Sequence, residues 1–165
     1  MKKPHVFHFA FKIEYSMVVR ELITDAKIKL PTALAGRANR AWIDVMSIWD
    51  TGATNSVITR SVVEKLKLVP TGKATVLGVN SREIRDTYMV DIGLPNHVIM
   101  PDVIVTECNI NSPNIDLLIG MNIIRRGDLA ISNGSGHTIF SFAIPPFKKP
   151  VDLYEKSIAV NPKRL

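Results

Sequence analysis

The apolar run Ile43 to Trp49 leads directly into Asp50 Thr51 Gly52 Ala53 Thr54 and leaves through Asn55 Ser56. This stretch constrains the chain more than any other. Alternating apolar and β-branched residues favour an extended segment, so the run reads as a strand that delivers a carboxylate into a turn. Gly52 permits the positive φ or the close backbone approach that a tight loop needs. Thr51 and Thr54 supply hydroxyls that can bond across the loop or orient the acid, and Ala53 is small enough to leave room in front of it. No Lys or Arg stands nearby in sequence to neutralise Asp50. Asp and Gly are also ordinary turn residues, so these five positions taken alone fit a plain loop equally well.

A second stretch narrows the choice. Asp116 Leu117 Leu118 Ile119 Gly120 Met121 Asn122 Ile123 Ile124 is a short apolar strand broken by glycine and followed by another apolar run. With the Asp50 loop it resembles the retropepsin-like aspartic proteases, whose single-domain subunits carry one Asp-Thr/Ser-Gly-Ala loop and a later apolar-apolar-Gly segment. The resemblance runs from about Ala41 to Pro145. It is closest to the non-viral, bacterial-type members through Trp49 to Ile58, Leu118 to Ile124 and Gly127 Asp128 Leu129 Ala130 Ile131. It implies a mostly β, closed barrel-like single domain with one or two short helices, acting as a homodimer. On this reading residues 1–40 are N-terminal strands or an extension, 41–145 the protease domain, and 146–165 a basic tail with a candidate helix at Val151 to Ile158.

Length and composition agree with one domain. At 165 residues the chain suffices for a core of its own, and is too short for two pepsin-like lobes. A hydrophobic fraction of 46% against 22% charged residues is that of a globular protein and argues against wholesale disorder. The formal charge of +6 comes from scattered cations, concentrated only at Arg37 to Arg40, Lys148 Lys149 and Lys163 Arg164. There is no long basic stripe interleaved with aromatics, so nucleic acid is not the expected partner. No stretch approaches the roughly 20 apolar residues that span a bilayer, and the apolar run after Lys2 Lys3 is cut by His5, His8 and Lys12. A single cysteine, Cys108, favours a reducing compartment. Cytoplasmic residence without a membrane is the expectation. His5, His8, His97, His137 and Cys108 make no metal pattern, and no metal or cofactor is expected.

Along the chain, Phe7, Phe9, Phe11 and Ile13 alternate with polar or small residues, as do Ala26, Ile28 and Leu30, which predicts two strands ahead of the Asp50 loop. Thr32 to Arg40 reads as a loop of small residues. Ser61 Val62 Val63 Glu64 fits a capping box within a helix signal at Val57 to Leu68. Lys73 to Val79 and Glu83 to Gly93 read as a hairpin joined at Asn80 Ser81 Arg82. In the resembling family this hairpin is the flap that closes over bound peptide, with Gly78 Val79 Asn80 Ser81 as its tip. An ordinary surface hairpin would have the same sequence. His97 to Glu107 and Leu117 to Gly120 follow as strands, Gly120 letting the latter pass close behind the Asp50 loop. Met121 to Arg126 reads as a short helix with Gly127 as its C-terminal cap, before a closing hairpin from Leu129 to Ile144.

Peptide hydrolysis by carboxylates needs two of them, one as base for water and one protonated to donate toward the carbonyl oxygen. This chain has one such loop, so a second Asp50 from a symmetry mate is the natural partner. At about 3 Å separation and an effective dielectric of about 20, the repulsion of roughly 5 kcal/mol keeps one proton shared. The resemblance further implies that Thr51 locks the two loops together and that the Gly52 amide serves the dyad. Ala53, Thr54 and the tip Gly78, Val79, Asn80, Ser81 would meet a polypeptide substrate. Viral members often have Asp where this chain has Thr54 and Arg where it has Met121; both ions are absent here together, so the active-site loop and the terminal strands must hold the homodimer by other means. Two rivals remain: a non-catalytic dimeric peptide-binding module on the same fold, and an Asp-x-Gly-x-Thr phosphate loop of actin-like sugar kinases, for which the chain is less than half the needed length.

Overall fold

A computed structural model of the chain describes residues 7–31, 34, 41–77 and 82–161. The expected flap tip, Gly78 to Ser81, and most of the loop expected at Thr32 to Arg40 lie outside these residues. The strands are β1 (Phe9–Glu14), β2 (Ile23–Lys29), β3 (Ile43–Trp49), β4 (Val57–Ile58), β5 (Gly72–Leu77), β6 (Arg82–Gly93), β7 (Ile99–Glu107), β8 (Leu117–Ile119), β9 (Asp128–Ser132) and β10 (Ile139–Ile144). Three short helices accompany them: α1 (Arg60–Leu66), α2 (Met121–Ile124) and α3 (Leu153–Val160).

Six strands close on themselves. The order β2-β3-β8-β4-β7-β6 returns to its start because β2 also pairs with β6, through Lys27 opposite Gly93 and Ile28 opposite Ile92. Alternation explains the inside: Thr24, Ala26 and Ile28 of β2 and Val45, Ser47 and Trp49 of β3 are buried, whereas Asp25, Lys27, Asp44 and Met46 face out. Closure removes the free edges that an open sheet would expose. β5 hangs outside the ring on β6, so the distal half of that hairpin, including Ile84, stands in solvent.

A second sheet, β1-β10-β9, lies against the barrel. Its inward residues Phe11, Phe140 and Phe142 surround Trp49, with ring centroids 5.8, 5.2 and 4.9 Å from the indole. The strand predicted at Phe7 to Ile13 thus packs through Phe11 and Ile13, while Phe7 and Phe9 remain exposed. His8 lies ahead of β1, where it stacks on Phe147 at 4.4 Å and its Nδ1 contacts the Pro145 carbonyl at 2.8 Å.

Two predicted caps take other forms. Helix α1 is capped at Thr59 rather than Ser61, and no side chain closes the cap. The Thr59 hydroxyl instead donates to Asp116 Oδ1 at 2.7 Å, and Val57 and Ile58, read as helix, are claimed by the barrel as β4. Gly127 does not end α2, whose C-cap is Arg125. A Cβ at Gly127 would lie 2.2 Å from the Ala143 carbonyl oxygen, so glycine is required there by the close approach of β10. The tail helix begins two residues later than predicted, with Asp152 as its N-cap accepting from Glu155 N–H.

Candidate active site

Asp50 is the first residue beyond β3, and its position is set by the strand that runs beside it. β8 lies between β3 and β4, parallel to the first and antiparallel to the second, with Trp49 opposite Ile119. The ladder continues one step into the loop, where Asp50 N–H donates to the Ile119 carbonyl at 3.0 Å. The chain then turns sharply: Gly52 N–H donates to Asp50 Oδ1 at 2.7 Å. That bond orients one carboxylate oxygen; Asp50 is half-buried, and Thr51 and Gly52 are exposed. A Cβ at Gly52 would lie 3.1 Å from the same Oδ1, tight enough to disturb it. Among the described residues, none of the ion pairs involves Asp50.

The far side of the loop is tied to the segment after β8. Met121 N–H donates to the Ala53 carbonyl at 2.8 Å and Asn122 N–H to the Thr54 carbonyl at 3.0 Å. Gly120 makes this fit possible, since a Cβ there would lie 2.6 Å from the Asn55 carbonyl oxygen and 2.9 Å from that of Ala53. The predicted close passage is therefore backbone against backbone. Where viral members often carry an ion at each of the Thr54 and Met121 positions, these residues are held by main-chain bonds to Asn122 and Ala53 respectively, and the Met121 side chain packs on the apolar core.

Sequence reading overlooked the residues that brace the loop. Asn122 Oδ1 accepts both Ser56 N–H at 3.0 Å and Ser56 Oγ–H at 2.8 Å, while Ser56 Oγ accepts Gly120 N–H at 3.1 Å. Asn122 Nδ2 reaches the Ile104 carbonyl on β7 at 3.3 Å. Ser56 is fully buried, so each of these polar atoms has a partner in place of water. Beneath Asp50, Trp49 Nε1–H donates to Thr24 Oγ1 at 3.0 Å, and Ser47 Oγ–H donates to the Thr24 carbonyl at 2.9 Å. The one available signal was compositional: Ser47 and Asn122 are polar residues inside otherwise apolar runs.

Of the predicted site residues, Asp50, Thr51, Gly52, Ala53 and Thr54 form one contiguous turn. Gly78, Val79, Asn80 and Ser81 lie outside the described residues. The largest groove, about 720 Å³, is elsewhere, at the opposite end of β3 among Trp42, Asp44 and Met46. Among the described residues no group of three or more His, Cys, Asp or Glu side chains is placed to hold a metal ion, and no helix is long and apolar enough to cross a membrane.

A family profile described as aspartyl protease matches residues 36–123, more than half of the chain and the whole Asp50 and Gly120 constellation. The chain belongs to the aspartyl protease family. No curated protein matches it. Among solved structures, the chain is similar to a retropepsin-like aspartic protease from Rickettsia conorii, at 15% identity and a TM-score of 0.51, over 84% of this chain and 96% of that one. Weaker likenesses are to the EIAV protease (20% identity, TM-score 0.41, 64% and 86% of the two chains) and the simian foamy virus protease (12%, 0.39, 62% and 92%). The fold is thus retropepsin-like, and family membership supports a protease function for the aspartyl loop it carries.

Proposed function

We infer that two copies of the chain form one aspartic endopeptidase, in which a water held between two Asp50 carboxylates attacks a peptide bond. The observation that carries this is the Asp50 loop itself: a half-buried carboxylate with one oxygen fixed by Gly52 N–H, in a member of the aspartyl protease family. One Asp50 takes the proton of the attacking water while its protonated partner donates to the carbonyl oxygen. Thr51, exposed beside the acid, locks the two loops across the axis, and the Gly52 amide holds the dyad. Ala53, Thr54 and the Gly78 to Ser81 tip line the polypeptide substrate. The active-site loop and the terminal strands provide the interface. In support, among the described residues β1 and β9 each pair with β10 alone, which leaves an outer strand edge on each side of this sheet for a second copy. A cytoplasmic polypeptide is the proposed substrate.

The test compares wild type with Asp50→Asn on a mixed peptide library between pH 4 and 7, with and without a statine-type inhibitor. Removing a general acid-base group is expected to lower cleavage by about 10²- to 10⁴-fold, with the far-UV spectrum unchanged. Equal cleavage by both proteins would sink the enzymatic reading and leave the dimeric peptide-binding module.

A further inference from the structure

The 720 Å³ groove lies at the end of the barrel remote from Asp50, where β3 begins and β6 turns into β7. Its floor is apolar, with Trp42, Met46 and Ile99, and Ile99 is half exposed. Among the described residues its rim carries Asp25, Asp44 and Asp116, with Lys27 paired to Asp44 at 3.1 Å, His97 in the lining, and Lys29 lying 4.9 Å from the Trp42 ring centroid while paired with Asp91 at 3.4 Å. A negative rim around an apolar floor is unusual on a chain whose formal charge is +6. The Asp50 chemistry makes no use of it.

The same chain carries a segment of the complementary kind. Helix α3 buries none of its residues, and Leu153, Tyr154 and Val160 are 70, 64 and 76% exposed. At 100° per residue Leu153, Tyr154, Ile158 and Val160 share one broad side, and Glu155 and Lys156 occupy the other. Cations flank the helix on both sides, Lys148 and Lys149 before it and Lys163 and Arg164 after it. The chain leading into it is anchored beside the second sheet, where Phe147 N–H donates to Asp128 Oδ2 at 2.7 Å and the Phe147 ring stacks on His8. An apolar helix with basic flanks therefore stands free in a molecule that also presents an apolar groove with an acidic rim.

We propose that this groove is a docking site for helix α3 of a second copy of the chain. Tyr154 and Leu153 enter between Trp42 and Ile99, and Lys148 and Lys149 meet Asp25 and Asp116. The contact is remote from Asp50, since Asp44 at the rim is six residues from the acid along an extended strand, roughly 20 Å. It is therefore additional to the catalytic interface, does not rest on the proposed chemistry, and joins catalytic dimers into larger assemblies.

A fluorescent peptide of residues 147–161 titrated against the full-length chain tests the site by anisotropy. Saturable binding is expected, weakening as salt rises, and weakening at least tenfold in Met46→Glu and in Ile99→Lys, both outward-facing positions whose change leaves the barrel intact. Tyr154→Asp in the peptide is expected to abolish it. In sedimentation velocity, Tyr154→Asp or Met46→Glu in the full-length chain should remove the larger assemblies and leave peptide cleavage and the catalytic dimer as they were. No binding, binding indifferent to both groove variants, or an assembly state indifferent to Tyr154→Asp would each overturn the proposal. An inactive or strictly monomeric enzyme whose peptide binding still follows the groove variants would instead count against the catalytic reading alone.

Discussion

Asn122 does more for the Asp50 loop than its place in an apolar run suggests. Its Oδ1 takes two hydrogen bonds from buried Ser56, and its main chain holds Thr54. Asn122→Ala would leave Ser56 N–H without its acceptor in a site closed to water, at a cost of about 1–3 kcal/mol. We expect a urea midpoint lowered accordingly, with cleavage falling further than stability because the loop that carries Asp50 loosens. Asn122→Asp, which keeps the acceptor, should recover most of the stability. Tyr88 marks a different residue-scale effect. Burial, and then the Glu107 carboxylate that accepts its hydroxyl hydrogen at 2.9 Å, push its pKa up to about 12 from 10. Between those values the unfolded chain has released the proton and the folded chain still holds it, so this contribution to stability is complete below pH 10 and is lost as pH rises through 12. Urea unfolding from pH 9 to 12 should show that decline, and Tyr88→Phe should flatten it.

At the scale of elements, β2 is the stave that closes the barrel, bonded to β3 on one side and β6 on the other. Ala26 and Ile28 of this strand are in the core, and Thr24 holds the indole beneath Asp50. A chain beginning at Ala41 should therefore lose cooperative thermal unfolding, measured by circular dichroism, because β3 and β6 would both be left with open edges and exposed apolar faces. Burial of Ile28 alone is worth about 2–3 kcal/mol. The strands of β2, β3 and β7 were legible because each alternates with the period of a half-buried sheet. β4 was not: two residues cannot display a period, and Val57 and Ile58 continue into a helical pattern that masked them. The capping box at Ser61 failed for a tertiary reason, since the preceding Thr59 turns toward Asp116. The Asp50 loop and the Gly120 passage were readable because their requirements are local, a small residue where backbones meet. The Asn122 brace joins positions 66 residues apart and depends on the fold already being known.

For the whole molecule, an enzyme assembled from two half-sites ties activity to concentration. The viral ion pair is absent and the main-chain bonds at those positions lie within one subunit, so we expect specific activity to fall on dilution along the curve of dimer dissociation. Cleavage assays across a hundredfold range of protein, matched to sedimentation equilibrium, check this; constant specific activity alongside a strictly monomeric species would contradict it. The threading of β8 between β3 and β4 has a further consequence, in time rather than space. During translation Asp50 emerges long before Leu117 to Asn122, the segment whose main chain bonds its loop. The nascent chain therefore carries its acid on an unfinished turn until the segment around Gly120 has followed it out of the ribosome.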